Sequence, residues 1–216
     1  MRRSARAPLT AALFGRALLV PAMLLPALLF PASAIAGAQR YEALAASTRM
    51  SLHAAVSDRA VPFLNFRSSD DGQKWLYEMS TRLRQRIPDR KQRTEFLITV
   101  HYEATRAGLD PQLALGLIEV ESGFRKYAVS HAGARGYMQV MPFWVKLIGE
   151  PTHNLFNLRT NLRYGCVILR HYLDLENGDY YRALGRYNGS LGQPEYPSAV
   201  HAHWQRGRWT YQGATL

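Results

Sequence analysis

From residue 71 onward, apolar positions along the chain are spaced for helices. Trp75, Met79, Leu83 and Ile87 recur every four residues, and Pro88 ends that run. Phe96, Val100, Ala104 and Ala107 mark a second helix, closed by Gly108, a residue type suited to a left-handed C-terminal turn. Asp110-Pro111 then supplies an N-cap side chain followed by proline at the first helical position. In the helix that starts there, Ala114, Leu117, Ile118 and Glu121 fall at i, i+3, i+4 and i+7. They share one apolar face, and Ser122-Gly123 ends the run. Residues 132–142 are glycine-rich and too irregular for a helix. Further helical patterns cover 157–176, 179–187 and 194–204. In the second of these, Tyr180, Ala183, Leu184 and Tyr187 repeat the i, i+3, i+4, i+7 spacing. No run of alternating residues requires a sheet, so the fold class is mainly α.

The N-terminal third is patterned differently. Residues 37–69 show weak periodicity, Pro62 and a Ser-Ser-Asp-Asp cluster at 68–71, which describes an arm that is partly helical or flexible. Residues 1–36 combine a basic start (Arg2, Arg3, Arg6), a 16-residue apolar run at 17–32 and a small-x-small end, Ala34-Ile35-Ala36, with Ala32-Ser33-Ala34 as the alternative. That is the layout of a secretory signal peptide. An uncleaved anchor would need about 20 apolar residues and tolerates the prolines at 21, 26 and 31 poorly. The expected organisation is therefore a leader at 1–36, the arm at 37–69, a helical part at 70–108, a catalytic unit at 109–206 and a tail at 207–216.

Composition narrows the class. With 47% hydrophobic and 20% charged residues, the chain can build a core. Cys166 is its only cysteine, so an intramolecular disulfide is impossible, and its place inside a helical pattern suits a small buried thiol. Removing residues 1–36 removes four arginines and no acid, which leaves 23 basic against 16 acidic residues, a charge of +7. An exported basic protein suits an anionic envelope polymer or membrane surface. The basic residues are dispersed, without the Lys/Arg run of a nucleic-acid arm. His201-x-His203 is too tightly spaced for a helical metal pair and has no companion acid, so no metal and no cofactor are expected.

The chemistry centres on Glu121. It ends an apolar stripe, and no other carboxylate occurs in the 28 residues at 122–149. A carboxyl in an apolar setting stays protonated near neutral pH and can serve as a general acid. Glu119, two positions away, points to another side of the helix and reads as a solvated charge.

Glu121-Ser122, then Gly136-Tyr137-Met138-Gln139 running to Met141-Pro142, then Tyr187-Asn188, come in the order and spacing of the soluble lytic transglycosylases, whose catalytic domain these blocks resemble. The resemblance covers about residues 109–204. Tyr137 stands where that family has Leu, and Arg186 where it has Ala. The resemblance implies a lysozyme-like transglycosylase domain preceded by an additional N-terminal helical segment, with peptidoglycan glycan strands as substrate and the periplasm as location. It implies cleavage between N-acetylmuramic acid and N-acetylglucosamine, with Glu121 acting as acid and then as base toward the muramic acid C6 hydroxyl, to leave a 1,6-anhydro end. It further implies that Gln139 hydrogen-bonds sugar, that the Tyr187 hydroxyl reaches the catalytic acid, that Ser130 lies near an N-acetyl group, that Met138 and Tyr137 line the cleft, and that Asn188 belongs to the site. Ordinary glycosidases use two carboxylates about 5–10 Å apart, and the sequence leaves Asp174, Glu176, Asp179 and Glu195 as distant candidates for a second acid. A partner acid would favour a hydrolytic muramidase of goose-lysozyme type. A glycan-binding adaptor without turnover is the remaining alternative.

Overall fold

In the computed structural model, which describes residues 39–211, the chain forms α1 (Ala46–Val56), α2 (Ser69–Leu83), α3 (Arg90–Arg106), α4 (Pro111–Ser122), α5 (Phe143–Ile148), α6 (Leu158–Leu175), α7 (Tyr180–Asn188) and α8 (Glu195–Gln205). The expected leader at 1–36 lies outside the described residues. Short polar side chains decide where most helices begin. Ser68, Asp89, Asp110, Asn157 and Asp179 each accept a hydrogen bond from a backbone N–H two or three residues ahead, opening α2, α3, α4, α6 and α7. Gly108 (φ 67°) lets the chain turn out of α3 as the sequence predicts. Among the described residues there is no strand, only isolated bridges pairing Arg135 with Val129 and with Val140.

The fold is all-helical, as expected, and two local readings are corrected. The run toward Pro88 leaves the helix at Leu83, and Ile87 is buried from the turn that follows. α5, six residues long, is too short to display a period and has no counterpart in the sequence pattern.

α4 is the centre of the packing. Leu113, Ala114, Leu115, Leu117 and Ile118 are wholly buried, so the helix has no solvent side and the single apolar face read from the sequence is too narrow a description. α8 lies directly on it. A Cβ at Gly116 would sit 3.2 Å from the Trp204 backbone nitrogen and 3.3 Å from the Val200 carbonyl oxygen, so glycine is what permits this approach. Glu119 is likewise not a solvated charge. The Trp209 indole N–H donates to its Oε2 at 2.7 Å, His203 Nδ1 lies 3.2 Å from the same oxygen, and Arg86 and Arg208 stand 3.8 Å away.

A buried carboxylate ties the arm to this core. Glu103 on α3 is fully buried and receives Arg106 at 2.9 Å, Arg159 at 3.1 Å and Arg163 at 3.4 Å. Arg163 also donates to the carbonyl of Val56 at the end of α1, and Arg159 to Asp58 just beyond it. Further along the arm, Phe66 stacks on the buried His101 ring at 4.4 Å. The Cys166 thiol is buried, which raises its pKa and suits the inert role expected of it.

Candidate active site

Glu121 is positioned by the end of α4. The chain leaves the helix at Gly123, whose left-handed φ of 56° suits glycine, and the Gly123 N–H caps the Glu119 carbonyl. Ser122 then ties the helix end to the loop opposite, its Oγ 2.8 Å from the carbonyl oxygen of Tyr137.

That loop is held from α6. Asn161, fully buried, accepts from the Met138 N–H at 2.8 Å and donates to the carbonyls of Arg135 and Leu155 at 2.8 Å each. The backbone at Gly136 (φ 76°) passes so close to Asn161 and Leu155 that a Cβ there would stand 2.6 Å from the Leu155 oxygen. The conformation and the crowding both demand glycine at this place in the motif. Gln139 adopts φ 46°, unusual for a residue with a Cβ and a local strain of the kind found at functional sites. Its amide donates to the carbonyls of Gly136 (2.9 Å) and Ala128 (3.2 Å). Both N–H groups are spent on the loop, so any sugar recognition falls to the amide oxygen as an acceptor.

Glu121 is only 4% exposed. Burial pushes its carboxyl up to about 8, against the smaller downward pull of a hydrogen bond from the Tyr196 hydroxyl to Oε1 at 2.6 Å. Oε2 is buried and has no hydrogen-bond partner. The group is thus a neutral acid at pH 7, with one oxygen held and the other available to carry and release a proton.

The sequence-predicted residues divide on this geometry. Tyr187 is wholly buried near Glu121, and burial together with that carboxyl pushes its phenol well above the ordinary value. Its hydroxyl, however, donates to the Met138 carbonyl at 2.7 Å. The expected bond to the acid is therefore made by Tyr196, which the sequence reading did not assign. Its signal was the pair Tyr196 and Val200 at i, i+4 on the face of α8 that meets α4. Met138 and Tyr137 do not line a cleft. Met138 is fully buried against Gly165 of α6, where an added Cβ would lie 2.7 Å from the Met138 Cβ, and Tyr137 packs on Phe96 at 4.9 Å between ring centroids. Ser130 closes the hairpin-like turn, its Oγ accepting from the Ala134 N–H at 3.0 Å. Asn188 is buried at the end of α7.

Three of the four candidate second acids are engaged elsewhere. Glu176 is held by Arg182 and Arg186, which keep its carboxyl below the usual range. Asp174 pairs with Arg170, Asp179 caps α7, and Glu195 is exposed at the start of α8. A surface cavity of about 1030 Å³ is lined by α3, the start of α6 and Val61–Pro62, and none of the site residues is in its lining.

Against this geometry stand the likenesses to known proteins. Residues 99–198 match the transglycosylase SLT domain. A transglycosylase of Enterobacteria phage PRD1 is 30% identical over 110 residues, 49% of this chain and 38% of the phage protein. Membrane-bound lytic murein transglycosylase C of Actinobacillus pleuropneumoniae serotype 5b (strain L20) is 52% identical over 48 residues, 22% of this chain and 13% of that protein. The same enzyme of Histophilus somni (strain 2336) is 39% identical over 83 residues, 34% of this chain and 23% of its own length. The chain thus spans well under half the length of these curated relatives.

Proposed function

We propose that this chain, whose residues 99–198 are a transglycosylase SLT domain, cleaves the β-1,4 bond between N-acetylmuramic acid and N-acetylglucosamine of peptidoglycan without consuming water. The observation that carries the reading is Glu121 itself: a buried carboxyl, protonated at pH 7, with a tyrosine rather than a second acid beside it. The proton on Oε2 passes to the glycosidic oxygen as the C1–O bond breaks. The carboxylate left behind keeps the Tyr196 hydrogen bond on Oε1. It then removes the proton of the muramic acid C6 hydroxyl as that oxygen bonds to C1. The acid is restored, and the product carries a 1,6-anhydro end. One carboxyl suffices because the substrate supplies its own nucleophile, whereas hydrolysis draws on a second group to activate water. The leader-like residues 1–36 and the remaining charge of +7 support action on an anionic polymer outside the cytoplasm, in the periplasm.

Mass spectrometry of products from purified peptidoglycan tests the chemistry. Muropeptides one water lighter than those released by a hydrolytic lysozyme are expected. Hydrated reducing ends as the main product would reassign the chain to hydrolysis, and binding without cleavage would make it an adaptor.

Tyr196 acts through Glu121 as a positioning residue. Tyr196→Phe removes a hydrogen bond to a carboxylate formed during the reaction, so kcat falls about 10- to 100-fold with little change in KM. The lost bond is the one that pulls the Glu121 carboxyl down, so the alkaline limb of the pH profile moves to higher pH in the variant. A limb left in place would show that Tyr196 does not act on Glu121.

A further inference from the structure

Glu121 is shut in, although a glycan strand must reach it. The arm that precedes α1 packs against groups next to it. Gln39 is buried at 4% exposure, and its Oε1 accepts from the Met141 N–H at 3.2 Å, two residues beyond Gln139. Its amide lies against the Tyr187 hydroxyl, the group that also senses the Glu121 carboxyl. Tyr41 sets its ring edge-on to Phe143 at 5.8 Å, and Glu42 pairs with Arg186 at 3.3 Å. Residues 39–42 therefore reach from the start of α5 to Arg186 near the end of α7, with Gln39 set against the Tyr187 side chain that is buried near Glu121.

We infer that residues 39–42 form a displaceable strap that closes the glycan groove beside Glu121 and holds the enzyme in a self-inhibited state. This rests on the peptidoglycan reading above. The strap is built to let go. Gln39 is held through neutral hydrogen-bonding contacts with the Met141 N–H and the Tyr187 hydroxyl, which water can replace on withdrawal. The Glu42–Arg186 pair is partly exposed on both sides, where ion pairs add little. Tyr41 is 64% exposed and gives up little buried surface on leaving. A strand that binds only the open form pays for opening through its apparent affinity, which falls with the open fraction while turnover of the bound complex does not.

The test uses the full chain carrying Gln39→Ala and Glu42→Lys together, with Tyr41→Ala as a second variant should the pair fail to fold and the exposed Arg40→Ala as a control. Carbodiimide-driven coupling of a small amine to Glu121, read by peptide mass spectrometry, reports access to the acid without any glycan. Coupling at Glu121 should be about 10-fold faster in the loosened variants, and KM on solubilised peptidoglycan about 10-fold lower at unchanged kcat, as an open fraction near one tenth in the parent dictates. Arg40→Ala should match the parent. Unchanged coupling overturns the strap. Faster coupling with unchanged KM in an active enzyme overturns its inhibitory role. Faster coupling with no cleavage by any form leaves the strap as a cover over Glu121 and removes the peptidoglycan reading instead.

Discussion

Glu121→Gln should lower kcat by about 10³-fold or more, since in the proposed mechanism one side chain serves both proton transfers and general acid–base steps are each worth about 10²- to 10⁴-fold. Glutamine keeps the shape and the acceptor for the Tyr196 hydroxyl but has no proton to give at the position of Oε2. The unsubstituted enzyme should hold its kcat/KM below the carboxyl's value of about 8 and lose it above, because the protonated form starts the reaction. Stability provides a second readout with its own sign. The folded-state value lies above the unfolded one of 4.5, so the folded protein binds more protons between them, and stability falls as pH rises from about 4.5 to about 8. By pH 7 that loss is on the order of 3 kcal/mol. The Gln variant lacks this slope, so its melting temperature should gain on the parent's steadily across that window in a pH series of thermal scans. Residual cleavage near the parent's rate would move the acid to another residue. Parallel stability curves would mean that Glu121 is not buried as a neutral acid.

What could be read in the sequence was local. The Asp110-Pro111 start, the Gly123 stop and the stripe ending at Glu121 all lie within one helix, and each fixes a backbone geometry by itself. What could not be read depends on what meets α4 from far along the chain. Glu119 leaves the apolar stripe and so looks solvated. α4 has no solvent side, however, and Trp209, His203 and two arginines close over that carboxylate from outside the helix. Tyr196 sits 75 residues from Glu121, and its spacing with Val200 marks a buried face without saying what the face meets. Met138 stands inside the motif, and the resemblance implies a place in the cleft for it. Its burial is decided by Gly165 and Asn161 on α6, which make room for the side chain and clamp the backbone. The motif thus points to the proposed chemistry, while the long-range packing decides which of its side chains can touch a substrate.

Glu103→Gln is expected to cost about 3–5 kcal/mol of folding stability, the usual loss when one member of a buried charge cluster is neutralised. The substitution is nearly isosteric, so no cavity contributes and the loss reports charge alone. Three guanidinium groups converge on this fully buried carboxylate, from Arg106, Arg159 and Arg163. Without it, Asp58 is the acid that remains beside them, 3.2 Å from Arg159 and 3.7 Å from Arg106. Asp58 is a quarter exposed, so Asp58→Asn should cost about 1 kcal/mol or less. For a chain of this size, the Glu103 change should lower the melting temperature by about 10 °C, and the Asp58 change by a few degrees. Equal shifts for the two variants would mean that burial does not govern the network. None of these groups touches Glu121, so Glu103→Gln should keep its turnover at temperatures where it is folded. The network does hold α1 through the Val56 carbonyl, and α1 follows the strap directly. Loosening it should therefore free residues 39–42 as well, and coupling at Glu121 in Glu103→Gln should rise above the parent's even while the domain remains folded.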